Sequence, residues 1–319
     1  MLELVCLPWR ERARDRARDL FRVERHAMRS VIRDLSADAV HAHWTYEYAW
    51  AAISSRRPAL ITAHDAPLTI LRYHRDAYRV LRLVMAARVR IGAQLMSAVS
   101  PYAAGRWARE MLDPREIHVV PNIAPDFVDR AQASGEERRV VMIGTPDRRK
   151  NIAAGLTAFA LARQADPHLR LRLIGPGLEP AAAIGAGAVP VEPGVDRLGQ
   201  LSPDALHREL AGASVLLHPS LEETQGMVLL EAMRAGIPVI AGSRSGGVGW
   251  TLDDGKAGML VDVASPAAMA RALRTMLTDT QLAARYVRHG KRLLEERYSA
   301  DVVSRAYVHL YERLPTAQV

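Results

Sequence analysis

Short apolar runs alternate along this chain with longer stretches in which apolar residues recur every three or four positions. The runs fit strands buried on both faces, and the spaced repeats fit amphipathic helices. In the first half the pattern predicts strands at Leu2–Leu7, Ala39–Ala42, Ala59–Thr62, Leu95–Val99 and Ile117–Val120, with helices over 10–35, 46–55, 75–90 and 101–112. Ser100 followed by Pro101 supplies an N-cap and a first-turn proline. In the second half strands at Val140–Ile143, Leu169–Ile174, Val215–His218, Pro238–Ala241 and Met259–Val261 alternate with helices over 151–164, 203–211, 226–235, 266–277 and 280–296. Asp301–Leu314 reads as a closing helix. Strand-helix alternation of this kind predicts an α/β chain with parallel sheets covered on both faces. The polar, small residues of 130–138 read as a linker, so the expected domains are 1–130 and 131–300, followed by a terminal helix at 301–319.

Length agrees with two domains, since 319 residues exceed the usual ~100–200 residues of one. No apolar run approaches the ~18 residues of a membrane span. Leu2–Pro8 is too short for a secretory signal, and an arginine-rich segment follows it. Cys6 is the only cysteine, which excludes an internal disulfide framework and a cysteine-based zinc site. A reducing cytoplasm is the expected compartment. The net charge of +8 is carried by arginine, with Lys150, Lys256 and Lys291 the only lysines. Arginine suits phosphate and carboxylate partners. No helix-turn-helix, aromatic RNA-binding strand or zinc finger points to nucleic acid. Residues 68–90 mix apolar positions with Arg72, Arg75, Arg79, Arg82, Arg88 and Arg90. Such a segment suits peripheral contact with an anionic membrane at its inner face, an anionic acceptor, or a plain solvated helix face.

The chemistry concentrates in His218-Pro-Ser-Leu-Glu-Glu-Thr-Gln-Gly-Met-Val-Leu-Leu-Glu231. Glu223 and Glu231 flank Gly226, which opens a helix. The amides near Gly226, Met227 and Val228 then lack intrahelical partners and sit at the positive dipole end, a ready phosphate site. A phosphate there would meet one carboxylate on each side, as the diphosphate of a nucleotide-sugar would.

This stretch, through Ala235-Gly-Ile-Pro238, resembles the E-x7-E signature of family 4 retaining glycosyltransferases with the two-domain GT-B fold. The resemblance implies two Rossmann-like domains facing a cleft and sugar transfer with retention from a nucleotide-diphosphate donor to a glycan, lipid-linked or small-molecule acceptor. It assigns Glu231 to the ribose hydroxyls, and Glu223 to the donor sugar or the charge near it. Ile143-Gly-Thr-Pro-Asp-Arg-Arg-Lys-Asn151 resembles the family's diphosphate clamp: Gly144 and Lys150 match, Thr145 stands where an arginine is usual, and Arg148 or Arg149 could substitute. Gln225 and the amides beyond it complete the clamp. Gly175 and Gly177 resemble a wall beside the nucleotide, and Gly199 a short turn against the base. Ala63-His-Asp resembles the family's histidine segment, which places His64 beside the donor sugar. His41 and His43 fit a family segment but read as structural, and Asn122 matches a domain-crossing turn. Neither metal nor cofactor is expected, because the basic groups can neutralise the diphosphate.

Two departures stand out. Leu2–Pro8 aligns with the family's third strand, so the N-domain reads as incomplete, lacking an opening β-α-β unit with its glycine loop. A late start site, a rearranged compact domain or a degenerate enzyme would each explain this. Trp250 occupies a position where relatives carry glutamate. Two other functions fit the pattern: a nucleotide-sugar epimerase of related fold, and a catalytically silent binding partner.

Overall fold

The computed structural model describes residues 3–35, 37–126, 138–180 and 193–315. The chain divides into two compact units, Met1–Pro121 with Val303–Val319, and Asn122–Val302. The division falls at the Val120-Pro121-Asn122 turn; the 130–138 linker lies almost wholly outside the described residues.

The first unit runs α1 (Ala13–Arg18), α2 (Arg22–Asp34), β1 (Val40–His43), α3 (Glu47–Ser54), β2 (Ala59–Ala63), α4 (Pro67–Tyr73), α5 (Ala77–Gly92), β3 (Leu95–Ala98), α6 (Pro101–Glu110) and β4 (His118–Val119). Its four strands are parallel and in consecutive order, β1-β2-β3-β4. Right-handed crossovers between consecutive parallel strands put the connecting helices on one face. Alternation along β2 shows the result. Ala59, Ile61 and Ala63 join Met85 and Val89 of α5 and Trp107 of α6 in one apolar cluster, whereas Leu60 joins Val120, Val303 and Leu310 on the opposite face. That second face is covered by the closing helix (Ala300–Glu312) and carries polar groups. His41 on β1 contacts Tyr311 (2.9 Å) and Thr62 (2.6 Å), and Thr62 contacts Ser97 (2.6 Å).

Two readings of this half are corrected. Leu2–Leu7 forms no strand over its described residues: Leu4 is 86% exposed, and the segment is an irregular strap. It is held by Trp9 stacked on Tyr48 (5.8 Å) and by Arg10, which binds the buried Glu24 (2.6 Å) and Asp19 (2.9 Å). β1 is therefore an edge strand beside a groove of about 510 Å3 that Val5 and Leu7 also line. The single helix expected over 10–35 breaks at Leu20 and Phe21, both at positive φ (55° and 60°), because the break drives the Phe21 ring into the core. The arginine-rich stretch 68–90 also holds a helix that the pattern does not predict, α4, ahead of the one expected over 75–90. α4 has no local cap; the Glu110 carboxylate on α6 accepts from the amides of Leu68 (2.8 Å) and Thr69 (3.2 Å) instead.

The second unit contains β5 (Arg139–Ile143), α7 (Ile152–Arg163), β6 (Arg170–Ile174), β7 (Val195–Gly199), α8 (Pro203–Ala211), β8 (Val215–His218), α9 (Met227–Ala235), β9 (Val239–Gly242), α10 (Val248–Thr251), β10 (Met259–Val261), α11 (Pro266–Thr278) and α12 (Thr280–Arg297); α13 (Ala300–Glu312) follows and belongs from Val303 onward to the first unit. The six-stranded parallel sheet has the order β10-β9-β8-β5-β6-β7, and an apolar cluster lies on each face. β7 is a strand that the apolar pattern does not announce, because Val195-Asp-Arg-Leu-Gly is half polar. Asp196 repays that polarity by pairing with Arg170 (2.6 Å) and Arg172 (3.0 Å) on β6.

Burial pushes His41 down to about 3, with His43 and His64 adding to it, and pushes His64 down to about 4, with His43 adding. A histidine held neutral in the fold stabilises it fully above its ordinary value of 6.5 and loses that contribution as pH falls toward the folded value. We expect the melting midpoint to drop as pH is lowered from 6.5 to about 4. The drop should be shallower in the double variant His41→Asn/His64→Asn. An unchanged slope would place the acid sensitivity elsewhere.

Candidate functional site

In the second unit the chain runs outward from β5 through β6 to β7, then returns to place β8 on the other side of β5. The loops leaving β5 and β8 thus diverge at the topological switch point, where open α/β sheets gather ligands at strand carboxyl ends. These are the two loops that carry the candidate chemistry.

The loop after β5 is built by Asp147. Its carboxylate accepts from Thr145 Oγ1 and from the amides of Arg149 (2.9 Å) and Lys150 (3.1 Å), which turns the basic side chains toward the β8 loop. Lys150 Nζ donates to Glu223 Oε1, and Arg149 Nη1 lies 3.4 Å from Glu223 Oε2 while donating to the Glu222 carbonyl (3.1 Å). The backbones are tied too. Leu221 donates its amide to the Arg149 carbonyl (2.8 Å), and Asn151 Nδ2 to those of Pro219 (3.1 Å) and Val263 (2.9 Å). Arg148 is exposed and takes no part, so of the two candidate arginines Arg149 reaches the carboxylate.

Glu223 is 8% exposed. Burial alone would raise its carboxyl. The His218 ring, whose Nε2 lies 3.3 Å away, outweighs burial together with Lys150 and Arg149, and the group is held well below the ordinary carboxylate range. His218 was not singled out in the sequence. It ends a strand and is 1% exposed, and only its contact with the Glu223 carboxylate that Lys150 also binds gives it meaning.

Gly226 precedes α9 at φ 83°, ψ 77°, a left-handed conformation that suits glycine. Gln225, 1% exposed, accepts through its side-chain Oε1 from Asn122 N (2.9 Å) and Nδ2 (2.8 Å), and its backbone carbonyl accepts from Thr251 Oγ1 (2.7 Å). Gln225 thus anchors the turn, and the amides of Met227 and Val228 at the helix start have no hydrogen-bond partner among the described residues. Glu231, one turn into α9, has a buried Oε2 with no hydrogen-bond partner among the described residues, and burial raises its carboxyl. A buried oxygen without a partner inside the protein is open to a donor from water, an ion or a ligand.

Gly144 and Gly175 meet at the neighbouring strand ends. The Gly144 amide donates to the Ile174 carbonyl (2.9 Å) and the Gly175 amide to that of Gly199 (2.8 Å), so the three glycines join β5, β6 and β7. Trp250 packs edge-on to Tyr298 (5.9 Å), and its carbonyl accepts from Arg297 (2.9 Å). In the first unit His64 lies at the end of β2, with Nε2 2.8 Å from His43 Nδ1 and its ring 5.2 Å from that of Trp44.

The family described as glycosyl transferases group 1 matches residues 126–293, and one described as glycosyltransferase family 4 matches residues 4–125. This chain belongs to the group 1 glycosyl transferases. It is 31% identical over 220 residues to a phosphatidyl-myo-inositol mannosyltransferase of Mycobacterium leprae, covering 67% of this chain and 58% of that protein. It is 32% identical over 228 residues to a D-inositol 3-phosphate glycosyltransferase of Streptomyces avermitilis, covering 69% of this chain and 41% of that one. The match thus spans about half the length of these relatives. Among solved structures, a sucrose-phosphate synthase of Thermosynechococcus elongatus superposes with a TM-score of 0.75 at 21% identity, over 94% of this chain and 79% of its own. Anabaena HepE, solved with UDP and glucose, gives 0.69 at 18%, over 90% and 80%. The fold is GT-B, with two parallel-sheet domains.

In this group 1 transferase the Gly175 position tolerates no side chain. Its φ is 138°, and a Cβ would stand 1.8 Å from the Gly144 carbonyl oxygen. We expect Gly175→Ala to lower the unfolding free energy in urea by about 2–4 kcal/mol. Gly105→Ala, on helix α6 with its nearest neighbour 3.6 Å away, should change it by under about 1 kcal/mol. Equal effects would mean that the strand ends are not closed as described.

Proposed function

We propose that this chain is a retaining glycosyltransferase that moves a sugar from a nucleotide-diphosphate donor to a carbohydrate or lipid-linked acceptor. The observation that carries the reading is one arrangement: an enclosed, ionised carboxylate, Glu223, held by Lys150 and Arg149 next to the open start of α9, with the unpartnered Glu231 oxygen on that same helix. The HepE structure with UDP and glucose supports a nucleotide and a sugar as ligands of this fold. Retention is implied by the family resemblance.

In this reading the diphosphate lies on the amides of Met227 and Val228, with Lys150 and Arg149 as counter-charges. As the bond from the anomeric carbon to the diphosphate oxygen breaks, negative charge grows on the leaving group, and these fixed donors stabilise it where it develops. The acceptor hydroxyl oxygen bonds to the anomeric carbon on the face the diphosphate leaves, and its proton passes to the departing diphosphate oxygen, which takes up the electron pair of the broken bond. Glu223, kept ionised by its cations, faces the positive charge that builds on the sugar ring. Glu231 accepts from the ribose hydroxyls, which satisfies its buried oxygen. Gly144, Gly175 and Gly199 wall the nucleotide, and His64 keeps the acceptor-side role that the family resemblance implies.

The test is release of nucleoside diphosphate from a panel of donors, with and without acceptors. We expect Glu223→Ala and Lys150→Ala each to lower kcat by about 100- to 1000-fold. Glu231→Ala should mainly raise the donor KM, by about tenfold or more, and Arg148→Ala should change little. Full activity in both Glu223→Ala and Lys150→Ala would overturn the assignment. Nucleotide binding without turnover on any donor would favour a catalytically silent partner.

A further inference from the structure

Helix α5 (Ala77–Gly92) carries the wrong residues for a face turned to water. Val80, Val84 and Ile91 are spaced by four and seven positions, so they share one side of the helix, and they are 50%, 53% and 72% exposed. The opposite side provides the packing: Met85, Ala86 and Val89 are buried in the first unit's core. A surface helix normally shows the reverse on its outer side, with charged residues outward. The stripe does not end with the helix. Toward its start, Val80 shares a groove of about 590 Å3 with Leu71 of α4. Toward its end, Arg90 donates to the Leu112 carbonyl (2.6 Å) and ties the loop after α6 to α5. Leu112 is 79% exposed and sits at φ 49°, a left-handed conformation unusual for leucine. An apolar side chain turned outward at a cost in backbone energy is a sign of use.

The charge around the stripe says what it meets. Arg72 and Arg75 line the groove at one end, and Arg88 flanks the stripe near the other; all three are exposed and form no ion pair among the described residues. Asp76, the acidic residue beside them, is neutralised by Arg79 at 2.9 Å. Apolar side chains standing between uncompensated arginines match the boundary between lipid tails and anionic headgroups. We propose that the α4–α5 face docks on an anionic lipid surface, with Val80, Val84, Ile91 and Leu112 entering the acyl boundary and Arg72, Arg75 and Arg88 on the headgroups. No described helix is long and apolar enough to cross a membrane, so this is attachment in the interface plane. The inference does not depend on the sugar-transfer reading, since it uses none of those residues.

The test is co-sedimentation of the full chain with vesicles of phosphatidylcholine alone and of phosphatidylcholine with phosphatidylglycerol. Wild type should bind the anionic vesicles, and less so as salt is raised. Val84→Glu/Ile91→Glu should weaken that binding by about tenfold or more, and Arg72→Ala/Arg75→Ala should weaken it while lessening the salt dependence. Circular dichroism melts should be unchanged in both, because the side chains replaced are exposed. Absence of wild-type binding, or binding indifferent to both double variants, would overturn the proposal. A dimer in analytical ultracentrifugation that Val84→Glu/Ile91→Glu dissociates, without vesicle binding, would assign the face to a second copy of the chain instead.

Discussion

A carboxylate taken out of water has to be compensated by nearby cations, and Glu223 sets the organisation of the second unit in this way. Its charge draws Lys150 and Arg149 from the loop after β5 and lies against His218 at the end of β8. Those strands are neighbours only because the chain reverses direction in the sheet between β7 and β8. Fold topology thus makes the ion cluster possible. The cluster in turn fixes the two loops that frame the start of α9, helped by Asn151, Ser220 and Ser245, whose side chains donate to loop carbonyls. A charged group buried for stability alone could be replaced by apolar packing at little cost. Here the expense places fixed charge beside free backbone amides.

The first unit obeys a different constraint. With all four strands in consecutive order, its connecting helices collect on one face, and the second face depends on a segment from the far end of the chain. The residues there are mixed in character. Val303 and Leu310 supply apolar contact, while Tyr307 and Tyr311 meet the imidazole of His41 at ring distances of 4.7 and 5.7 Å. The same economy shows on α5, whose inner side fills the core and whose outer side is left apolar.

Much of this was legible in the sequence where a local rule governs. Ser100-Pro101 announces a helix start, and the amide of Ala103 does bond to Ser100 Oγ (3.1 Å). Continuous apolar runs at β2, β5 and β8 could hardly be anything but buried strands. The spacing of Glu223, Gly226 and Glu231 points to the loop and helix beside which the structure gathers Glu223, Lys150 and Arg149. What escaped depends on partners remote in sequence. α4 is capped by Glu110, β7 hides its polarity in ion pairs with β6, and Leu2–Leu7, apolar enough for a strand, is held as a strap through Arg10 and Trp9. His218 and Asp147 escaped for the same reason: each matters through a contact that only the folded loops create. The choice of Arg149 over Arg148 was a matter of which side chain the Asp147 turn directs inward.

The central claim is that the open start of α9, together with Lys150, receives a diphosphate. Backbone amide resonances followed by NMR during titration with a nucleoside diphosphate test it most directly. The account predicts that the amides of Met227, Val228 and Lys150 shift together and saturate at one ligand concentration. Shifts that saturate elsewhere in the chain while these three stay unmoved would contradict it.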